Sequence, residues 1–442
     1  MLDKDEREQI IALIKHGVVP AIGCTEPACV SLCVAKACEL CGTHHPDKLE
    51  VLLSANILKN AMGVGIPGTG MVGLPIAVAL GALIGKSEYG LEVLKDATPE
   101  TVEKGKEYIA EGRIHIKLKP GISEKLYVET LCTAGSHTAT VVISGEHTRF
   151  SHCEADGKVE LDLPVSLSPS TKSHAGPALT LKKVFEFATT SPLEELEFIK
   201  EARTLNERAA RESLKGNYGH RLGKALSRPL GKGIMGESIF SHILSSTSCA
   251  CDARMAGAMI PVMSNSGSGN QGICATNPVV TFAEENHNTE EELVRALTLS
   301  HLTAIYIKQS LGPLSALCGC VVASTGSGCG ITYLMGGDYR QMTFCVKNMI
   351  ANLTGMICDG AKPSCALKLT SGVSTTVLSA MLAMENETVS SVEGIVDDDV
   401  DATIHNLTSI GKDAMNETDR KVLDIMTHKT NNTHSPVLNS LK

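Results

Sequence analysis

The sequence contains no tryptophan and few other aromatic residues, with 7 tyrosines and 7 phenylalanines among 442 residues. Membrane proteins normally carry belts of Trp and Tyr at the lipid headgroups, and this chain lacks the residues to form them. It does contain long uncharged segments, but glycines and prolines interrupt most of them. We therefore predict buried helices and Gly-rich loops rather than membrane spans at 61–85, 255–283, 310–337 and 369–384.

Clusters of basic residues are also absent. The formal net charge is −9 and the pI is about 5.9, which excludes a general nucleic-acid binder with a basic surface. Hydrophobic residues make up 43% and charged residues 20%, which excludes a largely disordered chain. The amphipathic segment 1–17 lacks the apolar core of a signal peptide. We therefore expect a cytoplasmic protein whose cysteines are thiols, metal ligands or nucleophiles rather than disulfides.

The hydrophobic pattern predicts an α+β fold. Between residues 113 and 163 it alternates with a period of two, and turn-forming pairs separate the runs, which predicts a meander of antiparallel strands. The remainder is mostly helical by pattern, with Gly-rich breaks such as 325–330. We expect a large, mainly α-helical catalytic body and a smaller α+β unit with an antiparallel sheet inserted in its N-terminal half. The predicted ranges are 1–45 and 180–430 for the body, 46–165 for the unit, 166–179 for a linker and 431–442 for a frayed tail.

Cysteine is unusually frequent, with 16 residues. Four of them, between residues 29 and 41, lie on a predicted helix rich in Ala, Val and Leu, and we interpret them as packing thiols. Cys358 and Cys365 differ, because they flank a short loop that directs both thiolates into one space, as a soft metal or an iron–sulfur cluster requires. Buried structural thiols are the alternative interpretation. A third ligand is needed, and spacing leaves three candidates open: Cys318, Cys320 and Cys329.

The best candidate ligand-binding loop is 264–272, which contains only Ser, Asn, Gln and Gly. Successive backbone N–H groups in such a turn form an anion nest that suits a carboxylate or a phosphate. No Gly-Lys-Ser/Thr follows, so it is not a nucleotide-binding P-loop. Gly68-Thr69-Gly70 is a second, less specific candidate. The candidate substrate-binding residues are Thr69, Asn265, Ser266, Ser268, Asn270 and Gln271.

Cys24 stands at a predicted helix start, just before Thr25-Glu26-Pro27. Unpaired N–H groups and the helix dipole lower the pKa of a thiol at this position. Cys24 is therefore a candidate base or nucleophile with Glu26 beside it, and a buried or capping thiol is the alternative. Asp252-Ala253-Arg254 indicates either a polar cluster of an active site or a helix cap. Most of the histidines, including His147, lie in polar turns and are interpreted as solvated.

Several segments together resemble the L-cysteine desulfidases, which are similar in turn to the α-chain of bacterial iron–sulfur L-serine dehydratases. The resemblance covers nearly the whole chain, from about residue 8 to residue 428. The segments that carry it are GCTEP at 23–27, KNAMGVGIPGTGMVGLPIA at 59–77, CDARMAGA at 251–258, SNSGSGNQGI at 264–273, LSALC at 314–318 and GMICDGAKPSCALK at 355–368.

The resemblance implies a [4Fe-4S]-dependent lyase without pyridoxal phosphate that converts L-cysteine to pyruvate, ammonia and hydrogen sulfide. Cys318, Cys358 and Cys365 match the cluster ligands of that family, and Cys24 matches a proposed catalytic base. Three thiolates leave one iron open as a Lewis acid for the substrate's sulfur or oxygen. The nest at 265–271 would then hold the α-carboxylate.

Three other functions are consistent with the sequence. An iron–sulfur L-serine dehydratase would carry much the same motifs. A pyridoxal-phosphate lyase would need a Schiff-base lysine, for which Lys59 is the candidate. A non-catalytic amino-acid or redox sensor would bind without turnover. We expect a small amino acid as the ligand, a homo-oligomer, and no nucleic-acid or membrane partner.

Overall fold

The computed structural model of the protein describes residues 2–122, 124–165, 177–312 and 315–428. The predicted tail and most of the predicted linker lie outside the described residues. Within them the predicted α+β class is confirmed, because helices dominate and accompany one mixed sheet of six strands.

Helices and strands alternate in the N-terminal part of the chain. A 3₁₀ turn at Ser87–Glu92 precedes the fifth helix. In chain order the elements are α1 (Lys4–Gly17), β1 (Pro20–Ala21), α2 (Thr25–Leu40), β2 (Lys48–Leu53), α3 (Ala55–Ala61), α4 (Leu74–Ile84), α5 (Pro99–Ala110), β3 (Ile114–Leu118), β4 (Tyr127–Ala134), β5 (His137–Ser144), β6 (Phe150–Ala155) and β7 (Lys158–Asp162).

The remainder is helical apart from one two-residue strand, β8, which pairs with β1. The elements are α6 (Leu181–Thr190), α7 (Leu193–Leu196), α8 (Lys200–Lys215), α9 (Leu222–Leu226), α10 (Pro229–Met235), α11 (Ile239–Met255), β8 (Val262–Met263), α12 (Gly269–Glu285), α13 (Glu290–Leu311), α14 (Gly319–Leu334), α15 (Tyr339–Leu353), α16 (Cys365–Met384), α17 (Val400–Ser409) and α18 (Asn416–Thr427).

The six-stranded sheet has the order β3-β2-β4-β5-β6-β7. Strands β4 to β7 form the predicted antiparallel meander, but β2 lies between β3 and β4 and pairs with β3 in parallel. The sheet is therefore mixed, because α3 to α5 form a crossover between β2 and β3 that a reading of local periodicity does not reveal. Strand β2 ends at Leu53, and α3 begins two residues later at Ala55.

Most of the buried apolar side chains belong to two large cores. Helix α2 packs on β4 and β5 and places its thiols, such as Cys29 and Cys33, in the core of the sheet. The interpretation of these cysteines as packing residues agrees with this environment. The larger core belongs to the helical part of the chain, where α14 contacts α12, α13, α15 and α16. The sequence-derived domain boundaries stay a prediction.

The Gly-rich segment 325–330 was predicted to break the helical pattern. Instead it lies inside α14. A Cβ on Gly326 would stand 2.3 Å from the carbonyl oxygen of Ser300, and one on Gly330 would stand 2.8 Å from that of Ala296. Both contacts are with α13, so the glycines allow two helix backbones to touch. The prediction was wrong because two glycines one turn apart can also allow close packing of two helices, and not only interrupt a helix.

One of the described helices, α16, is long and apolar enough to cross a membrane by length and composition. Half of its apolar window is buried inside the structure, where it packs against α11, α14 and α15. The segment therefore forms part of the helical core.

We expect Gly326→Ala to destabilise the protein by about 1–3 kcal/mol, because the added methyl group overlaps the Ser300 carbonyl and forces α13 and α14 apart. Gly233→Ala is the matched control, since Gly233 lies on helix α10 and an added methyl group there would have nothing within 4 Å. At this position alanine should be neutral or stabilise by about 0.5–1 kcal/mol. Urea unfolding of both variants measures the difference, and equal midpoints would contradict the packing argument.

Candidate active site

A cavity of about 120 Å³ gathers cysteines from separate parts of the chain. It lies where the N-termini of α2, α12, α14 and α16 meet the loop between α15 and α16. The side chains and backbone that line it belong to Cys24, Glu26, Asn60, Arg254, Gly267, Ser268, Asn270, Gln271, Cys318, Gly319, Cys320, Cys358, Gly360, Ala361, Cys365, Lys368 and Leu369.

Backbone hydrogen bonds hold Cys318 beside Cys358. The Cys318 N–H donates to the Met356 carbonyl at 3.0 Å, and the Cys358 N–H donates to the Ala316 carbonyl at 2.6 Å. An isolated antiparallel bridge between Leu317 and Ile357 lies between these bonds. Two segments about 40 residues apart in sequence are therefore joined as a miniature sheet that ends in two thiols.

The loop from Cys358 to Cys365 depends on a glycine. Gly360 has a φ of +90°, and a Cβ there would stand 2.2 Å from the Lys59 carbonyl oxygen. Cys365 is the first residue of α16, and its N–H donates to the Lys362 carbonyl at 2.8 Å. The predicted convergence of the two thiols on one space agrees with this arrangement, since both line the cavity.

The charges around the loop are paired. Lys368 donates to the Ile357 carbonyl at 2.6 Å and forms an ion pair with Asp359, and Lys362 pairs with the same carboxylate at 2.6 Å. Burial disfavours the charge on Asp359, yet the hydrogen bonds from both lysines lower its pKa to about 2. Asp359 therefore stays ionised and braces the loop next to Cys358.

Four helix N-termini face the cavity, and this sets its electrostatic character. Cys24, Ser268 and Cys318 are the N-caps of α2, α12 and α14, and Cys365 begins α16. Each N-terminus presents the positive end of a helix dipole. Free N–H groups are left at α2, α12 and α14, whereas the first N–H groups of α16 are bonded to the carbonyls of Lys362, Pro363 and Ser364. Arg254 and Lys368 add two cations, and Glu26 is the one acidic side chain among the lining residues. The cavity is built for anions.

The thiols fit an iron–sulfur cluster better than a single metal ion. Within the described ranges, no three His, Cys, Asp or Glu side chains are grouped closely enough to hold one ion. A cubane binds each thiolate at a different iron, so its ligands stand farther apart than those of one ion. Three soft thiols around one small cavity, with cationic surroundings, suit that group.

Both Cys318 and Cys320 line the cavity, whereas Cys329 lies in the helix core beside Cys345. The Cys320 thiol donates to the Lys368 carbonyl at 3.2 Å, and the Cys365 thiol donates to the Gly360 carbonyl at 3.7 Å. Burial raises the pKa of Cys318 well above its ordinary value and also raises that of Cys365. A metal must therefore displace protons from these thiols, and binding releases them.

Cys24 does not have the low pKa expected at a helix start. Its side chain is 5% exposed, and burial raises its pKa to about 11, while Arg254 opposes the shift. Desolvation of the thiolate outweighs the helix dipole here. Cys24 is therefore a protonated thiol near neutral pH. Glu26 stands on the first turn of α2 and accepts a hydrogen bond from the Thr25 hydroxyl at 3.2 Å.

Only some of the polar side chains of the loop at 264–272 face the cavity. Ser268, Asn270 and Gln271 line the cavity, and the buried Gln271 Oε1 has no hydrogen-bond partner among the described residues. Asn265 is fully buried on the other side, where its amide donates to the His301 carbonyl at 3.0 Å. Ser266 donates to the Asn265 side chain at 2.8 Å. These two residues fix the loop and do not line the cavity.

Thr69 also points elsewhere. Its hydroxyl donates to the Ile66 carbonyl at 2.8 Å and accepts from the Met71 N–H at 3.0 Å, which closes the turn at 66–71. It does not line the cavity. A threonine in a Gly-rich loop satisfies its hydroxyl locally unless a ligand competes for it.

Arg254 is a candidate for substrate binding that the sequence left undecided between a polar cluster of an active site and a helix cap. It lies in the last turn of α11, is 5% exposed, and donates from Nη2 to the Gly23 carbonyl at 3.0 Å. Its buried Nε has no partner among the described residues. The neighbouring Asp252 is directed away and accepts from the Gly223 N–H at 3.3 Å. A buried guanidinium with a free donor next to a cavity is suited to a carboxylate.

Lys59 is not placed for a Schiff base. Its side chain is 1% exposed and forms an ion pair with Asp419 of α18, and its amine lies 3.5 Å from the Cys358 carbonyl oxygen. It does not line this cavity, nor the larger second cavity that adjoins it. The amine is thus committed to an ion pair that ties α3 and α18 to the cysteine loop.

A second cavity of about 400 Å³ adjoins the first. The two share Cys24, Arg254 and Gly267. His147 lines the second cavity, although its position in a polar turn predicted a solvated side chain. The turn between β5 and β6 is exposed at Glu146 and Thr148, but the sheet carries it against the α2 N-terminus and half-buries the imidazole.

Comparison with known proteins identifies the family of the chain. Residues 88–424 match the family model of the serine dehydratase alpha chain. The chain belongs to this family. The matched range includes Cys318, Cys358 and Cys365 but not Cys24. The resemblance drawn from sequence motifs is therefore confirmed at the level of a family related to iron–sulfur serine dehydratases.

Similar proteins at high identity carry the name UPF0597 protein. One from Bacteroides thetaiotaomicron is 69% identical over 426 residues, which cover 96% of this chain and 99% of the relative. One from Phocaeicola vulgatus is 67% identical over 430 residues, covering 97% and 99%. One from Porphyromonas gingivalis is 53% identical over 433 residues, covering 97% and 100%. These relatives and this chain align over nearly their full lengths.

We expect Asp419→Ala to destabilise the protein by about 3–5 kcal/mol, because it leaves the buried Lys59 ammonium without its counter-ion. The cysteine loop should loosen with it. Asp424→Ala is the control, since Asp424 pairs with Lys421 on the exposed face of the same helix and its loss should cost at most about 1 kcal/mol. Thermal unfolding of both variants decides, and similar melting temperatures would contradict a structural role for the Lys59–Asp419 pair.

Proposed function

We propose that this serine dehydratase-like protein is an L-cysteine desulfidase that uses a [4Fe-4S] cluster and no pyridoxal phosphate. The reaction is a β-elimination from an α-amino acid that yields pyruvate, ammonia and hydrogen sulfide. The observation that carries the proposal is the meeting of three thiols with four helix N-termini and a guanidinium whose Nε has no hydrogen-bond partner among the described residues, all at one cavity. A cluster that is stable only in a reducing environment also favours a cytoplasmic location, as do sixteen free thiols.

Cys318, Cys358 and Cys365 would hold the cluster, since Cys318 caps α14, Cys358 and Cys365 flank the loop before α16, and all three line the cavity. Cys320 lines the same cavity, but Cys318 is the residue that matches the ligand of the cysteine desulfidases. When bound, the cluster supplies a Lewis acid for the leaving group of the substrate.

The residues of the chain would bind and orient the amino acid. Arg254 can pair its free Nε with the α-carboxylate, and the N-terminus of α12 with Asn270 and Gln271 can supply further donors. Glu26 would receive the α-ammonium group, since it is the one carboxylate of the cavity. Cys24, whose thiol keeps its proton near neutral pH, is suited to donate to the leaving group.

A second candidate function is an L-serine dehydratase, which the description of the matched family favours. The same residues would bind L-serine, and hydroxide would replace hydrosulfide as the leaving group. A sensor would bind the amino acid without turnover. Product analysis separates these functions.

We expect anaerobic reconstitution with iron and sulfide to give a broad brown absorbance, with release of pyruvate and sulfide from L-cysteine. Cys358→Ala should lose both the absorbance and the activity, because it removes one of three ligands. Cys153→Ala is the control, since that buried thiol lies on β6, away from the cavity. Pyruvate from L-serine alone would assign the dehydratase, and a protein that binds no cluster anaerobically would overturn the proposal.

We expect Arg254→Gln to lower kcat/KM for the amino acid by about 10- to 100-fold, because a charged hydrogen bond to the carboxylate contributes about 1.5–3 kcal/mol. The cluster absorbance should stay unchanged, since Arg254 is not a ligand. Arg203→Gln is the control, because Arg203 pairs with Glu284 and Glu290 on the surface. Steady-state assays measure the effect, and an unchanged kcat/KM would remove Arg254 from the substrate site.

A further inference from the structure

The larger cavity beside the thiol cavity brings one side chain from the antiparallel sheet to the site. Its walls come from residues 19–25 and 259–264 and from the segment at 91–95, and they are mostly apolar. His147 projects into it from the turn between β5 and β6. The two cavities share Cys24 and Arg254, so a ligand held by Arg254 can extend to the imidazole.

His147 differs from His137 and His152, which lie on the neighbouring strands and form hydrogen bonds with Asp156 and Asp162. The Nε2 atom of His147 is buried and has no hydrogen-bond partner in the part of the chain that the structure describes. Leaving a buried polar atom unpaired costs about 1–3 kcal/mol. A bound ligand that completes this hydrogen bond would recover that cost.

The turn that carries His147 is held rigidly. Arg149 donates from Nη1 to the Ser144 carbonyl at 3.1 Å, and its N–H donates to the Glu146 carbonyl at 3.2 Å. The Ser144 N–H returns a hydrogen bond to the Arg149 carbonyl at 3.2 Å. The imidazole is therefore positioned by the backbone on both sides of it.

The protonation states around the cavity leave few groups able to accept a proton. The charged and titratable groups that face His147 from the surrounding elements are Cys24, Glu26, Glu92, Lys95 and Arg254. Cys24 retains its proton and Arg254 is a cation. Burial lowers the pKa of His147, with Glu26 opposing, so the imidazole is neutral at neutral pH. A neutral imidazole with a free nitrogen is a general base.

We propose that His147 is a catalytic residue of the elimination: its imidazole accepts the α-proton of the amino acid that Arg254 holds. This inference rests on the proposed function. The Cα–H bond breaks and its proton goes to the imidazole. The electron pair forms the Cα=Cβ bond, the Cβ–S bond breaks, and the sulfur leaves with its electron pair. The Cys24 thiol donates its proton to the departing hydrosulfide and regains one from the imidazolium, so hydrogen sulfide and aminoacrylate result. Water converts the aminoacrylate to pyruvate and ammonia.

The test uses the anaerobically reconstituted enzyme with L-cysteine and L-serine. We expect His147→Gln to lower kcat by about 10²–10⁴-fold, with the cluster absorbance retained and KM changed only a few-fold. The acid limb of the pH profile of kcat/KM should disappear, since the group that protonates there is removed. His152→Gln is the control, because His152 lies on the same sheet with carboxylate partners and does not line the cavity.

A rescue experiment separates a base from a structural residue. His147→Ala leaves room in a cavity of about 400 Å³, so added imidazole should restore part of kcat with saturation. Rates that follow the pKa of substituted imidazoles would support the proposal. If the wild type is active and His147→Gln keeps its kcat, or if imidazole restores nothing to His147→Ala, His147 is not the base. If the wild type converts neither amino acid, the proposed function fails and this inference fails with it.

Discussion

The convergence of four helix N-termini on one cavity is the constraint on which the site depends. Free N–H groups and aligned dipoles make the cavity favourable for anions without a cluster of basic side chains. A chain with a net charge of −9 can therefore build a pocket with a positive local potential. The same convergence also explains why the one carboxylate there, Glu26, lies on a helix's first turn, where negative charge is stabilised.

The convergence in turn depends on the packing of the helical core. Helix α14 carries Cys318 at its N-terminus, and its glycines allow it to touch α13 along the backbone. The bridge between Leu317 and Ile357 then fixes Cys358 beside Cys318, and the Lys59–Asp419 pair holds the far side of the loop. None of these supports is a ligand, yet each determines the separation of the thiols. A cluster tolerates little variation in that separation, because its irons have a fixed geometry.

The residue types at the site could be predicted from the sequence better than the directions in which their side chains point. Two cysteines around a Gly- and Pro-containing loop predicted convergent thiols, since such a loop leaves few other arrangements. The polar loop at 264–272 could not be resolved in the same way. Composition shows that polar groups are present, whereas the helix that follows decides that Gln271 faces the cavity and Asn265 faces His301.

Arg254 and His147 illustrate what local pattern cannot give. Each lies far from the cysteines in sequence, and each reaches the site only because separate elements dock there. The fold class followed from periodicity, but the parallel pairing of β2 with β3 did not, because a crossover depends on contacts across about 60 residues. For Cys24, the helix dipole predicted the wrong direction of the pKa shift, since the extent of burial is a property of the whole fold.

Burial and the helix N-termini act on the thiols in opposite directions, and their balance suits a site that is loaded by metal. Desolvation keeps the thiols of Cys318 and Cys365 protonated, so without metal these two side chains are neutral and need no counter-ions. A cluster replaces those protons with cationic irons, and the combined charge of irons, sulfides and thiolates is small and negative. The helix N-termini at the cavity would stabilise that charge. The same positive field would draw the carboxylate of an amino acid toward Arg254, which also lines the second cavity.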